Sequence, residues 1–226
     1  MTPAPQEAIT ALSRADHGDP FAILGMHGAD GALIVRIFRP DAVAVEVREF
    51  GGAARSWQAE RTAQDGFFEA VLEGVRSRFA YTLRFTGHDG TTWEQRDPYS
   101  FGVLLGDLDL HLFAEGNHWE LWKKLGAHIE EHDGAIGTVF RVWAPNAKRV
   151  SIIGDWNNWD GRIHPMRKLI PGGVWELFVP GVGEMAHYKY EIYDMQGFLH
   201  TKTDPFAFFA QHGTQTAAMV WKLDKF

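Results

Sequence analysis

The sequence predicts an all-β chain: two tandem β-sandwiches joined by a short helical connector. Three observations carry this. The 226 residues are about right for two ordinary domains. Short β-branched and aromatic runs, closed by Gly, Asp or Pro, recur without helical periodicity between them. The chain also repeats itself. Val35-Arg36-Ile37-Phe38-Arg39-Pro40-Asp41-Ala42 resembles Phe140-Arg141-Val142-Trp143-Ala144-Pro145-Asn146-Ala147, an offset of 105 residues. Gly66-Phe67-Phe68-Glu69 then pairs with Gly173-Val174-Trp175-Glu176, Tyr81-Thr82-Leu83 with Tyr188-Lys189-Tyr190, and Asp97-Pro98-Tyr99 with Asp204-Pro205-Phe206, all at 107. One small insertion accounts for the drift. Ordered matches at a nearly constant offset mark a tandem duplication.

Taken in order, residues 5–15 read as a short helix with Ile9 and Leu12 on one face. Strands follow at 35–38, 43–49, 67–72 and 79–85, within a first domain spanning 1–106. A connector over 107–130 contains a helix-like segment, 118–125, with Gly126 as its stop. Trp119 and Trp122 are expected to anchor that helix against a sandwich. The second domain, 131–226, repeats the strands at 139–143, 150–153, 174–179 and 187–193. Strands at this spacing suggest sandwiches of immunoglobulin-like type. Aromatic pairs at matched strand positions, Phe68 with Trp175 and Phe38 with Trp143, read as core.

Composition narrows the partners. Lys and Arg number 22 against 29 Asp and Glu, a net charge of −7, and no basic stripe appears. Nucleic acid is therefore not an expected partner, because phosphate binding needs clustered cations. The absence of cysteine excludes disulfides and thiolate metal sites and fits a reducing cytoplasm. No basic-then-apolar leader opens the sequence, and no apolar run approaches the roughly 18 residues of a membrane helix, so no membrane partner is expected.

The most informative stretch is Gly154-Asp155-Trp156-Asn157-Asn158-Trp159-Asp160-Gly161. Two tryptophans sit three apart among turn formers, which belong at a surface. Such indoles either tuck into a core or offer a flat platform, and the ligand suited to flat aromatic faces beside amides is a sugar. The duplication supplies an internal control. Shifted back by 105, the segment falls on 49–56, which holds Phe50 and no tryptophan. Phe50 aligns near Trp156, so Trp156 is partly structural; Trp159 has no counterpart and is the stronger contact. Lys189 faces outward from a strand by alternation and replaces Thr82 of the first copy. With Asn157 and Asn158 it offers donors to sugar hydroxyls. Two stacks at roughly 1 kcal/mol each, with two or three net hydrogen bonds, predict millimolar to high-micromolar affinity, suited to tethering a polymer.

These residues, with Gly137 to Ala147, Tyr188-Lys189-Tyr190-Glu191 and Lys202-Thr203-Asp204-Pro205, resemble the family 48 carbohydrate-binding module of bacterial glycogen branching enzymes. His17-Gly18-Asp19-Pro20-Phe21-Ala22-Ile23-Leu24-Gly25-Met26-His27 is similar to the opening of that family's amino-terminal domain. The resemblance implies an enzyme that breaks α-1,4-glucan bonds and remakes them as α-1,6 branches in glycogen biosynthesis. Its paired carboxylates lie on a following (β/α)₈ barrel, the expected intramolecular partner. This sequence stops at Phe226, about where that barrel would begin, so it is expected to bind or position α-1,4-glucan and to be inactive alone. A related glycogen-binding module has a second tryptophan after the lysine strand; here Phe198 or Leu199 would substitute. The expected glucan contacts are Trp159, Lys189, Asn158, Trp156 and Phe198.

No catalytic residue, metal site or cofactor is expected. His88-Asp89-Gly90 and His132-Asp133-Gly134 read as turns. His128 and His132 lack a helix and a third ligand. Two other roles fit the same residues. One is a structural spacer that sets transferred chain length, with 205–209 facing the barrel; the other is a free-standing regulatory glycogen-binding protein.

Overall fold

The computed structural model describes residues 4–29, 31–51, 55–63 and 65–223. They form two compact units, Met1–Phe101 and Gly102–Phe226.

The first unit opens with α1 (Gln6–Ser13), which buries Ile9 and Leu12 beside Leu24, Phe38 and Phe67. Seven antiparallel strands follow: β1 (Gly25–Ala29), β2 (Ala32–Phe38), β3 (Ala42–Glu49), β4 (Ser56–Ala63), β5 (Phe67–Leu72), β6 (Tyr81–Gly87) and β7 (Thr92–Arg96). Their order is β1-β2-β5-β4-β3-β6-β7. Strand β4 is shared between layers: 56–59 pair with β3, while 60–63 pair with β5. The two layers enclose Val35, Ile37, Val45, Val47, Phe68 and Phe85, the inward residues of alternating strands.

The second unit opens with α2 (Asp107–Glu115) and continues through β8 (Gly126–His132), β9 (Ala135–Trp143), β10 (Ala147–Gly154), β11 (Arg167–Leu169), β12 (Val174–Pro180), β13 (His187–Asp194), β14 (Leu199–Lys202), β15 (Phe209–Ala210) and β16 (Ala218–Met219). One sheet runs β11-β12-β9-β8; the other runs β10-β13-β16-β15, with β14 also on β13. Both units are the sandwiches that alternation predicted. The strands not foreseen, such as β4 and β7, are half-exposed and carry polar residues on their outer face, so they lack a strong apolar pattern.

The helix of the second unit lies at 107–115, not at 118–125. The run Asp107-Leu108-Asp109-Leu110-His111-Leu112 alternates like a strand, which hides it. Gly116 ends it in a left-handed cap, with Asn117 N–H on Leu112 O and Gly116 N–H on Phe113 O. Residues 118–125 contain only a three-residue 3₁₀ turn, Leu121–Lys123. Trp119 and Trp122 therefore anchor no helix: Trp119 is 92% exposed and Trp122 49%. Trp143 also departs from the core expectation. It is largely exposed where Phe38 is buried, while Phe68 and Trp175 are both buried as expected.

The structure extends the duplication past the segments that first revealed it. Leu24-Gly25-Met26-His27 matches Leu125-Gly126-Ala127-His128 at an offset of 101. In each, the His Nε2 lies 2.9 Å from the Leu carbonyl oxygen three residues earlier. Gly25 and Gly126 both have positive φ, and a Cβ there would meet Tyr99 O at 2.6 Å and Phe206 O at 2.8 Å, so only glycine fits. Gly126 is thus a close-approach residue, not a helix stop. Tyr81 donates to Asp97 and Tyr188 to Asp204, at 2.5 and 2.7 Å. Arg36 bonds Glu69 and Arg141 bonds Glu176, at 2.9 and 2.8 Å.

Candidate functional site

The octapeptide leaves β10 and folds back on itself. Asp160 N–H bonds Asn157 O at 3.0 Å, and the two central residues, Asn158 and Trp159, have φ of 53° and 58°. This is the pattern of a type I′ turn, which Asn tolerates and Trp ordinarily does not. Holding a bulky residue there costs of order 1–3 kcal/mol, and such strain clusters at ligand-binding positions. Trp159 N–H is tied to Gly154 O at 3.1 Å, and its indole remains 39% exposed.

The rest of the loop is scaffold. Asn157 is buried; its Oδ1 accepts from Gly154 N–H, and its Nδ2 reaches Ile152 O and His164 Nδ1, all within 2.9 Å. Its amide is therefore used up inside the protein and is not a sugar donor. Trp156 stacks on Phe140, centroids 5.5 Å apart at 19°. Its ring also lies over Gly154, where a Cβ would collide with it. Asn158 stays exposed at the tip. The far end of the loop is pinned by Arg149, a fully buried cation absent from the sequence reasoning. Its guanidinium bonds Ser151, Gly161 O at 3.3 Å and Glu191 at 2.7 Å, with Tyr193 beneath it at 4.8 Å. No local pattern signals it: Arg149 shares the outward phase of Ser151 and Ile153 on β10, the face Lys189 also takes, and the loop carrying Gly161 covers it.

Register sets the neighbours. Ile153 pairs with Lys189, Ser151 with Glu191 and Arg149 with Tyr193, so these residues share one face of the sheet. Lys189 is half-buried, and its Nζ makes no hydrogen bond or ion pair among the described residues. On the neighbouring strand, Thr201 pairs with Glu191 and Leu199 with Tyr193. Leu199 therefore joins the Lys189 face. Phe198, just before β14, is exposed and bonded through its N–H to Asp194 Oδ1. Lys189 and Leu199 thus share one sheet face, while Trp156 packs inward on Phe140.

Of the first copy's matching stretch, 49–51 and 55–56 are described; Gly52, Ala53 and Ala54 lie outside the described residues. The two His-Asp-Gly segments are turns. Asp89 accepts from Thr91 N–H, and Asp133-Gly134, both with positive φ, close the β8–β9 hairpin. His128 and His132 stand on β8, bonded to Leu125 O and Glu130. No group of three or more His, Cys, Asp or Glu among the described residues is placed to hold a metal ion. No helix among them is long and apolar enough to cross a membrane.

Residues 124–207 of this second β-sandwich match carbohydrate-binding module 48, the isoamylase N-terminal domain. Residues 5–99 match the N-terminal domain of the alpha-1,4-glucan branching enzyme GlgB. The chain belongs to the GlgB branching-enzyme family, as its amino-terminal region. It is 47% identical to the 1,4-alpha-glucan branching enzyme GlgB of Paramagnetospirillum magneticum, over 95% of this chain and 28% of that protein. The Rubrobacter xylanophilus enzyme is 48% identical over 97% and 30%, and that of Cereibacter sphaeroides 47% over 96% and 30%. The chain thus spans about 30% of the length of the curated relatives it matches.

Proposed function

We propose that this chain is the glucan-contacting part of a cytoplasmic branching enzyme that acts in glycogen biosynthesis. The second unit tethers α-1,4-glucan through Trp159, with Lys189 and Asn158 as hydroxyl partners and Leu199 extending the apolar surface. The remainder of the protein carries the bond-breaking carboxylates. One observation supports this reading above the rest: a strained left-handed turn holds the Trp159 indole at the surface, on a sheet whose Lys189 Nζ has no partner among the described residues. In a native gel containing glycogen, the wild-type chain is expected to be retarded. Trp159→Ala should weaken that retardation at least fivefold, since one stack and its buried area are lost. A wild-type mobility indifferent to glycogen would overturn the proposal.

A docking role is favoured by a second observation. Leu108, Trp119, Trp122, Trp143 and Ile170 all stand exposed on the second unit, by 49% to 92%. Packing against the rest of a full-length enzyme would cover them. Trp119 and Trp122 should then be shielded from iodide quenching in the full-length protein and open to it in this chain. Equal quenching in both would reject the docking role and leave the glucan site untouched.

A further inference from the structure

The first unit holds a cleft at the counterpart of the place proposed above as the second unit's sugar platform. Arg48 pairs with Thr82 across β3 and β6, as Ile153 pairs with Lys189 across β10 and β13. The offsets of 105 and 107 that align the sequences carry Arg48 onto Ile153 and Thr82 onto Lys189. Phe50 and Gly51, which leave β3, therefore stand at the counterpart of the start of the loop bearing Trp159. Here an open cleft of about 340 Å³ lies against Arg48, Phe50, Arg55, Thr82 and Glu94, a volume within the range of small-ligand pockets.

Its chemistry is specific. Phe50 was expected to be structural, yet its ring is 46% exposed. It is nonetheless held in place: Arg96 lies over it at 4.6 Å, and Phe50 N–H bonds Ala80 O at 2.8 Å. A fixed aromatic ring at a surface costs a ligand little ordering entropy. Around it, the charges cancel in pairs. Arg55 grips Glu49 with two bonds of 2.8 and 3.0 Å; Arg48 reaches Glu94 at 3.4 Å, and Thr82 donates to the same Glu94 at 2.6 Å. Three cations, Arg48, Arg55 and Arg96, stand against three anions, Glu49, Glu94 and Glu46, the last 3.0 Å from Arg48, so no net positive charge remains for a phosphate or a carboxylate to neutralise. A neutral polyol meets both donors and acceptors in one place, and the ring supplies a surface for its C–H face.

We propose that this cleft is a second α-glucan site, weaker than the one at Trp159. The position and chemistry of the cleft stand independently; the choice of α-glucan rests on the proposed function above. The test is a titration of the whole ¹⁵N-labelled chain with maltoheptaose, followed by NMR in the wild type, Trp159→Ala and Phe50→Leu. The Gly51 and Thr82 amides and the Arg48 and Arg55 Nε–H signals should shift saturably at millimolar sugar, in the wild type and in Trp159→Ala alike. Phe50→Leu, at an exposed position that folding tolerates, should weaken those shifts at least fivefold and leave the Trp159 indole shift unchanged. If the Trp159 indole moves while the first-unit signals stay still, this proposal alone fails. First-unit shifts of equal affinity in Phe50→Leu, or shifts with inorganic phosphate but not with maltoheptaose, also overturn it. If the first-unit signals move and the Trp159 indole does not, the second site stands and the platform at Trp159 falls.

Discussion

Replacing Glu176 with alanine is expected to remove about 3–5 kcal/mol from the stability of the second unit. The Glu176 carboxylate is buried and accepts three bonds: from Leu104 N–H at 2.9 Å, Leu105 N–H at 2.8 Å and Arg141 Nε at 2.8 Å. Truncation leaves a buried guanidinium and two backbone donors without their acceptor, each costly to strand. The effect should appear as a urea midpoint lowered by more than about 1 M, and as loss of exchange protection at the Leu104 and Leu105 amides. A loss below about 1 kcal/mol would show the network to be dispensable. The double variant E176L/R141M should recover part of the loss, because no unpaired charge remains, but not all, because the two N–H groups stay orphaned. The first unit holds the same device in a wetter form. Glu69 accepts from Arg36 and from Ala4 N–H, with both side chains about 11% exposed. Glu69→Ala should cost roughly half as much, since water replaces part of what is lost.

The second large effect is a dependence on pH of unusual sign. Burial pushes the Asp97 carboxyl up to about 6, against the opposing pull of its bonds from Tyr81 and Tyr99 N–H and of the Arg39 and Arg96 charges. In the unfolded chain an aspartate titrates near 3.9. Between pH 4 and 6 the folded state therefore holds a proton that the unfolded state has released. Stability from this group is full below about pH 4 and is lost as pH rises through 6, the reverse of a salt-bridged carboxylate. Two pKa units correspond to about 3 kcal/mol. After correction for intrinsic exchange rates, protection of the β6 amides should fall by about a hundredfold from pH 4 to pH 7. Asp97→Asn should remove most of that slope. A wild-type slope of opposite sign would mean that the hydrogen bonds outweigh desolvation. Burial also raises Asp204, the duplicated counterpart, so second-unit amides should slope the same way.

Much of this molecule was legible from one chain because it is written twice. Matched positions such as Tyr81 and Tyr188, or Glu69 and Glu176, proved to hold matched bonds. Alternation placed Tyr188 and Tyr190 inward and Lys189 outward. The copies alone separate Trp159, which has no counterpart, from Trp156, which aligns near Phe50. What failed did so for local reasons. The helix at 107–115 alternates like a strand, and β4 and β7 expose too much polar surface to read as strands. Asn157 looked like a donor because its type suits a sugar; only the fold shows its amide spent on Gly154, Ile152 and His164.

The sequence by itself determined the duplication, the all-β class, the family and the identity of Trp159 and Lys189 as candidates, because repeats and side-chain period are properties of order along the chain. The tertiary structure alone decided which side chains share a face. Leu199 joins the Lys189 face only through its pairing with Tyr193, and a buried Arg149 ties Gly161 to a strand twelve residues back along the chain. Those outcomes depend on pairing between distant strands, where a single-residue slip inverts every side chain, and no local pattern encodes that choice.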